Sequence, residues 1–244
     1  MATIKNSNLP ATEAANRVDI VVAHYNEDLS WLKPEAADVI IYSKGNLPKG
    51  KHFRQIHHLP NIGRESHTFL HHIVTRYETL APVTLFLQGS RDGAACMREH
   101  TTMSITAMKN RALTTKTGEM MVFGSQALGT VRPFQRWERA DWHDDPDRIF
   151  WMKQQAVTGV EQLTADCSPG QFWARVFGYP HPPQIMFAEG ALFAVRAESI
   201  RARPKEFYER LLDMFVVADH VNPEIGHFVE KFWEEIIACK VVGH

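Results

Sequence analysis

Residues 59–89, LPNIGRESHTFLHHIVTRYETLAPVTLFLQG, gather the side chains best suited to chemistry. Asn61, Gly63, Arg64, Glu65 and His67 fall where a loop runs into a helix. A helix start carries unpaired N–H groups and a partial positive charge, and a glycine there lets a ligand approach the backbone. Arg64 adds a planar cation matched to phosphate or carboxylate, and Glu65 a carboxyl for acid/base work. Gln88-Gly89 closes the strand that follows, and ligands of open α/β sheets lie beyond the carboxyl ends of strands. Taken singly, these residues also read as an Asn cap, a turn glycine and solvated charges. Together they mark a candidate site.

Further candidates stand at other strand ends. The apolar run Val18–Ala23 breaks into His24-Tyr25-Asn26-Glu27-Asp28, a polar loop suited to face a nucleotide. Glu27 and Asp28 fit a ribose, a base or an amine, and one of the two is expected to cap the short helix that buries Trp31 and Leu32. Lys44, just past the run Val39–Tyr42, is a second candidate phosphate contact. Glu189 sits in a break between two strand-like runs, Ile185–Phe187 and Ala191–Val195. Half-buried beside a cleft it would act as a general base or hold a cationic group; as a turn carboxylate it would bond backbone instead. His67 and His71 have zinc-ligand spacing, yet no third ligand follows at a recognisable interval, so structural or solvated histidines are expected and no metal. Ser43, Ser90 and Ser125 are the hydroxyls nearest strand ends, none in a nucleophile-elbow pattern.

The elements that must carry these residues follow from periodicity. Phe69, Leu70, Ile73, Val74 and Tyr77 predict a helix that Ala81-Pro82 ends. Val83–Leu87 is almost entirely apolar, as a strand buried on both faces is. Further strands are predicted at 18–23, 39–42 and 53–56, and a helix through Cys96, Met97, Met103 and Met108. Asp145-Pro146 and the capping box Ser168-Pro169-Gly170-Gln171 each open a helix. The last third reads as scaffold: one helix with Phe207, Leu211 and Phe215, another capped by Asn222-Pro223, with Phe228, Phe232 and Trp233 in its stripe and Glu230 and Glu234 on its flank.

Composition narrows the class. A chain of 244 residues with 44% apolar content suits one large α/β domain, residues 1–16 forming a flexible tail. A net charge of −1 excludes a protein dominated by nucleic-acid binding, so any such role rests on a local patch. Residues 91–139 supply the candidate, eight Lys and Arg against four Asp and Glu, with Trp137 and Trp142 either stacking on a base or buried. Three cysteines without metal spacing fit a reduced, cytoplasmic compartment, and no run of about 18 apolar residues predicts a membrane span.

Three stretches carry a family resemblance: VVAHYNEDLSWL with the strand before it, the 59–89 run, and GALFAVRAESIRARPKEFYERLL with HFVEKFWEEI. From about Val18 to about Ala238 the chain resembles a fungal and bacterial family catalogued as a domain of unknown function. Asn-x-Gly-Arg-Glu and Phe-Leu-Gln-Gly are its more specific pieces. The resemblance implies glycosyltransferases of the GT-A fold, a single αβα sandwich with a mostly parallel, Rossmann-like sheet and C-terminal helices, so that residues 17–244 form one catalytic domain. It is also similar to fungal arginine-containing cyclodipeptide synthases, which join two aminoacyl-tRNAs into a diketopiperazine. One departure weighs between the two. A GT-A transferase carries Asp-x-Asp after a central strand to bind a divalent cation, whereas this chain has Gln88-Gly89-Ser90. The expectation is therefore an aminoacyl-transferring cyclodipeptide synthase without cofactor, using arginyl-tRNA and a second aminoacyl-tRNA. Glu65, Glu189 and Gln88 would form its catalytic set, and Asn26, Glu27, Asp28, Lys44, Asn61, Gly63, Arg64, His67 and Gly89 its substrate contacts. A metal-independent glycosyltransferase acting on a nucleotide-sugar, with Arg64 and Lys44 against the diphosphate, is the alternative; a non-catalytic binding module on the same fold is the third.

Overall fold

The computed structural model describes residues 17–48, 52–90, 101–124, 131–133, 142–156, 159–182, 184–186 and 190–242. The expected tail at 1–16, Glu189, Ser125, Cys96, Trp137 and much of the basic stretch lie outside them.

Among the described residues nine strands follow in chain order: β1 (Val18–His24), β2 (Val39–Ser43), β3 (Gln55–His58), β4 (Val83–Gln88), β5 (Glu119–Val122), β6 (Val131–Pro133), β7 (Gln184–Met186), β8 (Phe193–Arg196) and β9 (Lys240–Val242). Seven of them form one sheet in the order β3-β2-β1-β4-β8-β5-β9, and β6 pairs with β7 apart from it. All neighbours in the sheet run parallel except β8, which is antiparallel to both β4 and β5. The helices are α1 (Arg64–Arg76), α2 (Ile105–Ala112), α3 (Pro146–Ala156), α4 (Pro169–Phe177), α5 (Ala197–Ile200), α6 (Lys205–Ala218) and α7 (Glu224–Ile236).

The apolar strands are buried on both faces because successive side chains point to opposite sides of a sheet. Val21, Tyr42 and Phe86 meet Phe69, Leu70 and Ile73 of α1, Phe215 of α6 and Phe232 and Trp233 of α7. Ile20, Val22, Leu85 and Leu87 pack on the other side with Leu32 and with Ile105 and Met108 of α2. The result is an αβα sandwich. Strand order turns back at β1, whose carboxyl end lies beside that of β4 through the pair Ala23 and Gln88. An open α/β sheet is cleft at such a reversal.

Three boundaries differ from expectation. The third strand is two residues late, since β3 is a half-buried edge strand whose register follows β2, with Ser43 opposite His58, rather than its own apolar pattern. The helix expected through Met103 starts at Ile105, where the Ser104 hydroxyl accepts the Ala107 N–H at 3.2 Å. Asn222 does not cap α7: Pro223 holds that position, and the Asn222 amide is buried without a partner. By contrast, the Ser168 capping box makes both of its bonds.

Glu224, in the first turn of α7, binds Arg148 through two bonds of 2.7 and 3.1 Å and accepts the Ala165 N–H at 2.8 Å. Both charges are buried. Glu224→Ala strands the Arg148 cation in the interior, and urea unfolding should show a loss of about 3–5 kcal/mol.

Candidate functional site

The starts of α1 and α7 meet around a small, partly open hollow lined by Gly63, Arg64, Glu65, Pro223, Gly226 and His227. Its shape comes from the turn into α1. Gly63 at φ 61° and Arg64 at φ 46° are both left-handed, a conformation that costs a side-chain-bearing residue energy. Gly63 cannot carry a side chain, because a Cβ would stand 2.5 Å from the Phe215 ring and 2.8 Å from the His67 Cβ. Its N–H donates to the His220 carbonyl at 2.9 Å. The Ser66 hydroxyl reaches the Gly226 carbonyl at 3.3 Å and ties the two helix starts together.

Two carboxyl groups set the electrostatics. Burial and then the nearby Glu230 carboxylate push Glu65 up to about 7, against the weaker pull of Arg64 and Lys44. Burial also opposes the charge of Glu230, but the His227 ring 3.9 Å away, the Lys231 cation and the Gly190 N–H at 2.9 Å outweigh it and hold Glu230 low. One acid is thereby kept ionised while its neighbour exchanges a proton near neutrality. Splitting two carboxyls in this way suits general acid/base work.

Gln88 reaches this group indirectly. Its side-chain N–H donates to the Gly190 carbonyl at 2.8 Å, so Gln88 and Glu230 grip the two sides of one residue, itself left-handed at φ 86°. Lys44 is buried, and its ammonium bonds the Ile62 carbonyl at 2.5 Å and the Arg64 carbonyl. The expected phosphate contact is thus turned inward onto backbone. His67 is buried, with its basicity lowered by that burial, and stacks on His71 at 6.2 Å. Asn61 is half-buried and does not line the hollow.

The remaining predicted residues form a second cluster at the reversal between β1 and β4. The Glu27 carboxylate accepts the Tyr25 N–H at 2.7 Å and lies over Gly89, where a Cβ would stand 2.6 Å from it. The Trp31 indole N–H donates to the Gly89 carbonyl at 3.1 Å, and the Asn26 side chain accepts the Asn46 N–H at 2.9 Å. Neither acid caps the short 3-10 helix Ser30–Asp38, whose cap is Leu29 without a side-chain bond. Asp28 stands one residue earlier and accepts the Ser30 N–H at 3.0 Å and the Ser30 hydroxyl at 2.6 Å. Ser43 is fully buried against His24 at 2.9 Å, which removes it as an exposed nucleophile.

Glu230, His227 and Gly190 are the site residues that sequence reading passed over. The usable signal was a His-x-x-Glu pair, His227 and Glu230, within a strongly apolar helix. Among the described members of the basic stretch, Lys109 is paired with Glu35 and Asp38, and Lys116 lies 3.9 Å from Glu119. No group of three His, Cys, Asp or Glu side chains among the described residues is arranged for a metal ion, and no described helix is long and apolar enough to cross a membrane.

Because folding raises the Glu65 carboxyl from 4.5 to about 7, its contribution to stability is complete below about pH 4.5 and is lost as pH rises through about 7. Glu65→Gln should therefore flatten the fall in unfolding free energy between about pH 5 and pH 7 by on the order of 1–2 kcal/mol. Urea titrations at the two pH values read this directly, and parallel curves for both proteins would show an ordinary carboxyl.

No curated protein and no solved structure matches this chain. A family model matches residues 20–242, nearly the whole of it, and the chain belongs to that family, described as Protein of unknown function (DUF3431).

Proposed function

We propose that this protein is a group-transfer enzyme of GT-A-like architecture that joins two aminoacyl-tRNAs, one carrying arginine, into a cyclic dipeptide. The observation that carries the reading is the Glu65 carboxyl, raised to about 7 beside a carboxylate held ionised. An α-amino group titrates near about 7.7–8.0, so a carboxyl near 7 is well matched to take its proton and return it.

In the proposed reaction Glu65 removes a proton from the ammonium of one aminoacyl ester. The freed amine attacks the ester carbonyl of the other. The first proton passes on to water, and as the C–N bond forms the attacking nitrogen gives a second proton to Glu65. The C–O bond to the tRNA ribose breaks, and Glu65 hands that proton to the departing ribose oxygen, so each condensation releases one proton. The same exchange on the dipeptidyl ester closes the ring and releases the second tRNA. The positive end of the α1 dipole suits the oxygen that becomes negative at each attack. Glu230 supplies the anion for a guanidinium. Glu27, Asn26 and Gly89, at the reversal of strand order, suit the terminal nucleoside of the tRNA.

Transfer from a nucleotide-sugar without a metal is the second reading, favoured by the sheet reversal and by Arg64 at a helix start. The inward-turned Lys44 counts against it, since one of its two diphosphate contacts is engaged with backbone. Expression in a heterologous host, followed by mass spectrometry of extracts, should show a new arginine-containing diketopiperazine. Glu65→Gln should cut its amount by roughly 10²–10⁴-fold. Thermal stabilisation by nucleotide-sugars, with no diketopiperazine formed, would replace this reading with the second.

A further inference from the structure

The turn that aims Glu65 into the hollow has an unusual support. Helices normally begin with an extended cap residue whose side chain accepts a first-turn N–H. The cap of α1 is the left-handed Gly63, which has no side chain, and the next residue, Arg64, is left-handed too. Arg64 in that conformation is strained. Something outside the turn must hold it.

Lys44 meets that need. It follows the last residue of β2, its own N–H donates to the His24 carbonyl at 2.9 Å, and its side chain runs inward to end on the Ile62 and Arg64 carbonyls. Those two carbonyls flank Gly63 on either side. One nitrogen thus bridges both ends of the strained turn from beneath, while the His220 carbonyl and the Phe215 ring close on Gly63 from α6 and the loop after it. Holding a lysine in the interior for backbone acceptors alone is costly, and burial draws its ammonium down to about 7. A lysine kept there for packing would be served better by methionine.

We propose that Lys44 is a positioning residue: by clamping the Ile62 and Arg64 carbonyls it fixes the left-handed turn that presents the Glu65 carboxyl to the hollow. This rests on the acid/base role given to Glu65 above. The charged groups around that carboxyl are Arg64 on the same helix, Lys44 from the end of β2, and Glu230 and His227 from α7.

The test follows the Glu65 carboxyl by ¹³C NMR in protein labelled at the glutamate side-chain carbons, with Glu65→Gln identifying its signal. This readout needs no substrate, so a failure of the cyclodipeptide reading does not obscure it. Lys44→Met should keep the circular dichroism spectrum and lower the melting temperature, as the strained turn loses its clamp, while moving the Glu65 midpoint away from neutrality. In product assays it should lower kcat by roughly 10–100-fold with little change in KM, as displacement of a reacting group does. Should Lys44→Met fail to fold, Lys44→Arg replaces it, since a guanidinium keeps the charge but cannot set both carbonyls on one nitrogen. An unchanged Glu65 midpoint in whichever variant folds would overturn the proposal.

Discussion

The close approach of α1 to α6 at Gly63 is the constraint on which the site depends. With the Phe215 ring in the space a side chain would need, only glycine fits, and Gly63 enters α1 left-handed at φ 61°. The strain at Arg64 is small beside what the same helix contributes. Phe69, Leu70 and Ile73 are fully buried, each stabilising by about 1.5–3 kcal/mol, against about 1–3 kcal/mol for one left-handed arginine. The apolar stripe of α1 therefore fixes where the helix lies, and Lys44 holds the turn that leads into it.

Much of the sheet was legible in the sequence, for a physical reason. A parallel strand covered on both faces is a continuous apolar run, and Val18–Ala23, Val39–Tyr42 and Val83–Leu87 all read that way. The edge strand β3 carries Gln55, His57 and His58, so its pairing comes from β2 and not from any pattern of its own. The capping box at Ser168 was legible because both partners are local, whereas Asn222 was misread because a local cap rule cannot see what covers the residue. The candidate site divides along the same line. Arg64 and Glu65 announce themselves as a polar pair at a helix start. Glu230 is far from them in sequence, and only the packing of α1 against α7 makes it a neighbour.

That packing is what turns two ordinary glutamates into unlike ones. Each loses solvation on burial, and the two charges oppose one another. The difference lies in what opposes burial: Glu230 accepts the Gly190 N–H and is helped by His227 and Lys231, while Glu65 has the weaker pull of Arg64, its own N–H and Lys44. Gln88 takes part by holding the other face of Gly190, so the end of the central strand supports the ionisation of Glu230 without touching it. A carboxyl left to titrate near neutrality is a cost to stability that packing alone does not require.

The two clusters are joined through the end of β2. The Lys44 N–H ties that strand to the His24 carbonyl, directly before the loop that bears Asn26 and Glu27, and the Lys44 side chain ties it to the turn before Glu65. Gly45 continues the same contact, for a Cβ there would lie 2.1 Å from the Tyr25 carbonyl oxygen. Such backbone-to-backbone contacts leave little room for the loop and the turn to move independently. Under the proposed reading a nucleoside held at the first cluster and an acyl group at the second belong to one substrate. The distance between its two ends is then set by β2, a rigid and fully buried strand, and not by a mobile loop.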